Sequence, residues 1–247
     1  MNKEKIEAMR AGGKIMAQIF DDIRAFMAVG KTGKQVDKFV EQRILHYGAG
    51  VAYYEPEVNF PGSICISVNN ELIHGIPKAI PFEDGDKVSF DLVIKYHGYY
   101  VDSAFTMLLG KARAAERHLL SYTTSALYEG IAAVHAGAKI GDISAAVQKE
   151  LEKGHLGIIR EYVGHGIGKS MHMAPEIPNY GKRGHGPVLK VGDTICIEPM
   201  SSLGSPDTVV VEDDDGWTVR LKDGSVGAHV EHTILVTEDG AEILTTK

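Results

Sequence analysis

The sequence predicts an α+β fold: one curved, mostly antiparallel sheet with helices on its outside. Three observations carry this. A helix, a glycine break, a short helix and a group of strands occur in that order twice, in halves of about 1–107 and 108–247. Val36-Asp-Lys-Phe-Val-Glu-Gln-Arg-Ile44 lines up with Ile143-Ser-Ala-Ala-Val-Gln-Lys-Glu-Leu151 at a constant offset, although the identity is slight and a chance match is the alternative. At the end of the first half lie two β-rich runs, Val88–Ile94 and Tyr99–Phe105, joined by a turn ending at Gly98. No linker or low-complexity tract divides the chain, so a single domain is expected.

The elements follow in order. Residues 3–27 read as a helix, with Met9, Met16, Ile19, Phe20, Ile23 and Met27 on one stripe and Asn2 as its cap. Gly12-Gly13 weakens its first half, and Gly30 ends it. A second helix starts at Thr32, where Thr32-Gly-Lys-Gln35 makes a capping box; Val36, Phe39, Val40 and Ile44 form its apolar face, and Gly48 stops it. Strands are expected at about 50–54 and Ser63–Asn69, then the hairpin at 87–107. Residues 114–135 read as a helix with Leu120, Leu127, Ile131 and Val134 inside. After Gly137 comes another at about 142–153. Strands are expected near Ile158–Val163, Thr194–Glu198, Val209–Val211, Trp217–Leu221 and His229–Thr237, with turns at Asp213–Gly216 and Lys222–Gly224.

Composition excludes several classes. Of 247 residues, 44% are hydrophobic and 24% charged, as in an ordinary soluble domain. A net charge of −7, a pI near 5.9 and no basic cluster argue against general nucleic-acid binding. The two cysteines, Cys65 and Cys196, lie in apolar runs, as reduced thiols do. The start, Met-Asn-Lys-Glu-Lys, has no apolar signal core, and no run approaches the ~18 apolar residues of a membrane span. A cytoplasmic monomer with no membrane span is the expectation.

The hairpin carries the first chemical signal. A turn of two residues (Tyr96-His97) or four (Lys95 to Gly98) puts Asp91 directly opposite Asp102, with Cβ atoms ~5 Å apart on one face. Like charges so placed repel unless a cation sits between them. The alternative is an edge hairpin with two solvated aspartates. An odd-length turn without a bulge would send them to opposite faces.

Further along, Gly164-His-Gly-Ile-Gly-Lys-Ser170 resembles a phosphate loop, but Val163 stands where that loop needs Gly, and Lys169 where a dinucleotide fingerprint needs one. Nucleotide binding is rejected. What remains is an imidazole, His165, between two glycines that let a ligand approach closely. Taken alone, His165 and the later His172 read as structural. In Ile195-Cys-Ile-Glu198-Pro-Met200, Cys196 and Glu198 share a face. In Val230-Glu231-His-Thr-Ile-Leu-Val-Thr237, Glu231, Thr233 and Leu235 do, within a run apolar enough for a central strand. A single buried Glu is costly, and two of them beside an Asp pair strain the reading of stray strand-edge charges. Asp91, Asp102, Glu198 and Glu231 together bring −4, which two divalent cations would balance. Oxygen-rich ligation with the one imidazole of His165 suits Mn, Fe, Co or Zn at a two-metal site. Such a pair activates water for hydrolysis of an amide or ester.

With these positions in view, the chain resembles the type I methionine aminopeptidases of the bacterial kind, almost end to end. The resemblance rests on Asn69-…-His74-Gly-Ile-Pro77, the Asp91/Asp102 pair eleven apart, Gly164-His-Gly-Ile-Gly168, His172 seven beyond His165, Ile197-Glu-Pro-Met200 and Glu231-His-Thr233. It implies the pita-bread fold, with two pseudosymmetric halves, and removal of the initiator Met when the next residue is small. It implies nascent peptide N-termini as partners, with a transient ribosome contact. Asp91, Asp102, His165, Glu198 and Glu231 match the family's metal ligands. Asp102 and Glu231 would bridge two divalent ions, Asp91 would bind one, and His165 and Glu198 the other; Glu198 would also be the general base. His74 and His172 match the histidines that contact the scissile peptide and its tetrahedral intermediate. Phe60, Cys65, Met171 and Trp217 fall where the methionine side chain is lined. The family usually has Tyr-x-Gly-Phe-Pro where this chain has Glu57-Val-Asn-Phe60-Pro61, so Glu57 either bears on specificity or points to solvent. Met171 stands where a bulky aromatic is usual, and Met173 where an acid is common.

Three competitors are weaker. An Xaa-Pro aminopeptidase or prolidase carries a large extra N-terminal domain, whereas the first helix here starts at residue 3. A type II enzyme has a long insertion between His165 and Glu198, where 32 residues intervene here. A binding scaffold that lost activity typically loses ligands, and all five are present.

Overall fold

Two capped helices open the chain. In α1 (Lys3–Phe26) the Asn2 side chain accepts from the Lys5 amide at 3.2 Å. In α2 (Gly33–His46) Thr32 and Gln35 close the capping box reciprocally. The computed structural model describes residues 2–204, 210–212 and 214–247. Gly12-Gly13 marks a close approach of α1 to the rest of the protein. A Cβ on Gly12 would stand 2.9 Å from Val101 Cγ2, and one on Gly13 1.9 Å from the Leu244 carbonyl oxygen. The helix gives up some intrinsic propensity there and gains depth of docking.

The expected strand at 50–54 is only β1 (Gly50–Val51); residues Ala52–Tyr54 form a single 3-10 turn. Ala52 and Tyr53 are both buried, which two successive residues of a half-exposed strand cannot be. Strands β2 (Cys65–Val68) and β3 (Glu71–Ile73) lead to the long hairpin of β4 (Lys87–Tyr96) and β5 (Tyr99–Leu108). Its turn is His97-Gly98, with φ of 48° and 79°, the conformation that matches strand twist in a two-residue loop. Asp91 therefore faces Ala104, and Asp102 faces Val93. The expected direct opposition is wrong by two residues. An even slip keeps both aspartates on one face, as diagonal neighbours.

In the second part, α3 (Ala114–Ala132) and α4 (Ile140–Lys153) pack together. Nine strands follow: β6 (Gly157–Ile158), β7 (Gly164–Gly166), β8 (Met173–Ile177), β9 (Thr194–Ile197), β10 (Met200–Ser202), β11 (Val210–Glu212), β12 (Val219–Leu221), β13 (Gly227–His229) and β14 (Glu231–Val236), with β15 (Ala241–Ile243) closing the chain. Residues 209 and 213, at the ends of an expected strand and turn, lie outside the described residues. Two expected strands are each split. Ile158–Val163 breaks after Ile158, where exposed Arg160 and Glu161 carry the chain from one sheet towards another; His229–Thr237 breaks at Val230.

The main sheet is antiparallel throughout. Its order is β1-β4-β5-β14-β9-β7-β8, with β2 also on β4 and β15 also on β14. Two three-stranded sheets, β13-β10-β6 and β11-β12-β3, stand beside it, where one sheet was expected. Helices α1 and α2 cover the β4–β5 region with a core that includes Met9, Ile19, Val40, Phe90 and Val101. Helices α3 and α4 cover β9 and β14 with Leu127, Val147, Ile195 and Ile234. Among the described residues no helix is long and apolar enough to cross a membrane.

Because the Gly13 position is filled by backbone, Gly13→Ala should destabilise the fold by about 1–3 kcal/mol. Chemical denaturation, compared with Ala17→Gly as a propensity control, measures this.

Candidate metal centre

Register builds the site. Reading across the main sheet, Cys65 faces Asp91, Asp91 faces Ala104, and Ala104 faces Glu231. Glu198, one residue past β9, continues this row beyond Glu231. In the adjacent row Val93 faces Asp102, and Thr233 faces Cys196. Asp102 and Thr233 are joined by two bonds: the Asp102 amide donates to Thr233 Oγ1 at 3.1 Å, and that hydroxyl donates to the Asp102 carbonyl at 2.6 Å. Gly166 faces Ile195, which sets His165 beside Cys196. Side chains alternate along strands, so both rows project to one face.

They meet in a cavity of about 60 Å³ lined by His74, Asp91, Asp102, His165, His172, Glu198 and Glu231, together with Tyr53, Val93 and Met171. That is room for ions and a few waters. The structure thus brings together all seven residues expected to hold metal or do chemistry. His165 Nε2 lies 3.7 Å from Asp102 Oδ2 and 3.5 Å from Glu198 Oε1. His165 Nδ1 is 3.0 Å from the Gly166 carbonyl oxygen, an acceptor only. Nδ1 therefore carries the hydrogen, and Nε2 presents a lone pair to the carboxylates. The edge of one ring meets the face of the other where His165 and His172 pack, with centroids 4.4 Å apart. His74 holds a left-handed φ of 55°, an uncommon backbone for a residue with a side chain.

The electrostatics are those of charges held out of water. Asp102, Glu198 and Glu231 are at most 9% exposed. Burial, then mutual repulsion, pushes all three carboxyls well above their usual range. Burial also raises Asp91, against which the Tyr53 hydroxyl donates to Oδ1 at 2.9 Å. Burial lowers His165 to about 4, with His172 adding to the effect, and lowers His172 itself. Among the described residues Asp102 Oδ1 and Glu231 Oε1 are buried without a hydrogen-bond partner. Left so, each costs several kcal/mol.

The sequence pattern of metallopeptidase family M24 matches residues 7–238. The chain belongs to metallopeptidase family M24. Within this family it is a metallo-aminopeptidase. It is 40% identical to methionine aminopeptidase 1 of Bacillus subtilis (strain 168) over 237 residues, 96% of this chain and 94% of that protein. It superposes on the crystal structure of methionine aminopeptidase from Thermotoga maritima with a TM-score of 0.96 at 39% identity, covering 100% of this chain and 98% of that one. A prolidase from Pyrococcus furiosus shares the fold alone, at a TM-score of 0.77 and 23% identity, with 65% of its length covered. The M24 chain has the pita-bread fold common to these proteins.

Membership in a metallopeptidase family implies divalent ions, and the donor set fits them. Two orphaned carboxylate oxygens, a clustered negative charge and an imidazole lone pair all gain from cations at this place. The residues expected to line a methionine side chain lie alongside. Met171 lines the cavity. Phe60 packs edge-on to Trp217 at 5.2 Å and against Tyr53 at 5.3 Å, while Cys65 is buried opposite Asp91. Glu57 points to solvent, as does Met173.

Sequence reasoning did not single out four neighbours of the M24 site. Tyr53 was hidden by its 3-10 turn, which carries no pattern. Cys196 and Thr233 appeared only as residues on the right face. His229 is 2% exposed, with Nε2 3.5 Å from Glu198 Oε2 and 3.9 Å from Glu231 Oε2. Alternation back from Glu231 would have found it.

Repulsion without ions has a measurable sign. In chelator, Asp102→Asn should raise the unfolding free energy, since each pKa unit of displacement is worth about 1.4 kcal/mol. With a divalent ion present the order should reverse. Thermal unfolding of both proteins in the two conditions checks it.

Proposed function

We propose that this protein removes the N-terminal methionine from nascent proteins and peptides, preferring a small second residue. The observation that carries the reading is the convergence of four acids and one histidine on a small buried cavity with two oxygens unpartnered. Asp102 and Glu231 would be shared between two divalent ions, with Asp91 on one and His165 and Glu198 on the other. When bound, ions of the Mn, Fe, Co or Zn class make a water acidic and polarise the scissile carbonyl. Glu198 takes the proton of the attacking water. His74 and His172 stand at the cavity wall and donate hydrogen bonds where negative charge develops on the peptide oxygen. Met171, Phe60, Trp217 and Cys65 receive the thioether. Apolar, polarisable walls suit it, and none carries a charge.

The whole chain acts as one catalytic domain with pseudosymmetric halves, 1–107 and 108–247. Each half supplies two helices; one core comes wholly from the second half and the other mainly from the first, with residues such as Ile167, Cys196, Leu235 and Leu244 joining it, which supports this division. Both cysteines are buried and free, in keeping with action in the reducing cytoplasm, where nascent chains leave the ribosome.

Metal-loaded protein incubated with Met-Ala-Ser and with Ala-Pro peptides tests the reading. Release of Met alone is expected, and chelation should abolish it. Cleavage before Pro would place the enzyme with the Xaa-Pro peptidases, and no release with any of the four metals would overturn the assignment. Glu198→Gln should lower kcat by about 10² or more. Trp217→Ala should raise KM for Met peptides by about tenfold with less change in kcat, the loss of one buried apolar contact of about 1.5 kcal/mol. Steady-state kinetics on the same tripeptide separate the two effects.

A further inference from the structure

Cys196 has no part in the chemistry above, yet it lies within the ligand cluster. It is fully buried, and register places it between Thr233 and His165, on the face that Glu198 takes two residues later. Its Sγ, a carboxylate oxygen of Asp102, a ring nitrogen of His165 and a carboxylate oxygen of Glu231 all lie within 4.8 Å of one another. Four donors in that space can surround one ion after only a small contraction. Two of the four residues, Asp102 and Glu231, bring a buried oxygen that lacks any hydrogen-bond partner. The thiol's own partners are the Glu231 carboxylate, itself one of the four donors, and the Thr233 hydroxyl. Thr233 Oγ1 is 3.6 Å away, and that hydroxyl has already committed its proton to the Asp102 carbonyl, so it cannot donate to sulfur.

We propose that Cys196 is a thiolate ligand to the ion held by Asp102, His165 and Glu231. This rests on the metal-centre reading and adds a sixth protein ligand to it. Ion binding releases the thiol proton to solvent, and no other reagent is needed. A sulfur donor turns an oxygen-and-nitrogen site into a mixed one that favours zinc, iron(II) or cobalt over manganese. The competing arrangement is a neutral thiol that donates to Glu231 and stays off the metal.

The test is cobalt(II) loading of the metal-free full chain, with cobalt content measured by elemental analysis and the absorption spectrum recorded. Cobalt-bound wild type should show a near-ultraviolet sulfur-to-cobalt charge-transfer band. Cys196→Ser and Cys196→Thr should lose the band, and Cys65→Ser should keep it. The wild-type spectrum stands even where a variant folds poorly. Full cobalt content without the band overturns the thiolate ligand and leaves the metal centre intact. Absence of bound cobalt overturns both. Where the band is present, the ratio of zinc to manganese affinity should fall in Cys196→Thr by at least the about tenfold that even an outer partner of a ligand is worth.

Discussion

The two-residue period of antiparallel pairing is the constraint on which the site depends. Cys65, Asp91, Asp102, His165, Cys196, Glu198 and Glu231 are scattered over most of the chain. They become neighbours because six adjacent strands hold one register, and every second residue of each projects to the same face. A slip of one residue on β5 would turn Asp102 to the other face and bring Val101 from the core into the cavity. The apolar residues between the ligands fix the register: Val101, Ile195, Ile197 and Ile234 are all buried on the helix-covered side. Core and site are thus the two faces of the same strands, and the hydrophobic drive that seats one aims the other.

That arrangement works against itself electrostatically. Packing places three nearly inaccessible carboxylates and a fourth beside them where water cannot screen them. Local hydrogen bonds relieve little of this. Tyr53 serves Asp91, while the polar groups around Asp102 and Glu231 engage mainly their backbone: Thr233 bonds the Asp102 main chain and Ser103 the Glu231 carbonyl. Side-chain oxygens are left for something else. The same economy governs His165, whose Nδ1 is tied to its own neighbour's carbonyl so that only Nε2 faces inward. A fold satisfied by its own hydrogen bonds would not need this geometry; one that takes up divalent ions does.

How much of this was legible beforehand follows from the same physics. Parity was legible. Any even turn in the hairpin puts Asp91 and Asp102 on one face, and so the pair was recognisable although the expected register was two residues out. The actual turn, His97-Gly98, needs two positive φ angles, and His97 is a poor advertisement for one of them. Ligand identity was legible too, because acids at apolar strand positions are expensive and therefore conspicuous. Sheet membership was not. The breaks after Ile158 and at Val230 lie inside continuous β-prone runs, and only tertiary pairing decides that β13 joins β10 while β14 joins β9. His229 was lost for that reason: it ends a strand of the small sheet, yet its ring reaches the carboxylates of the large one. Tyr53 was lost because a 3-10 turn leaves no periodic trace.

The glycines of α1 connect the packing of the fold to the position of these donors. Gly12 lies against Val101, the residue before Asp102, and Gly13 lies against the Leu244 carbonyl. The Leu244 amide in turn donates to the Thr233 carbonyl at 2.9 Å, and Thr233 holds the Asp102 backbone through its hydroxyl. One helix surface without side chains therefore sets the depth of two strands whose opposite faces carry Asp102 and Glu231. Moving α1 outward by the width of a methyl group would loosen both. The pair of glycines costs the helix roughly 1–2 kcal/mol of propensity, at about 1 kcal/mol each. That cost is small beside the several kcal/mol at stake in seating buried carboxylates correctly. On this argument the first helix supports the metal centre mechanically, although none of its side chains reaches it.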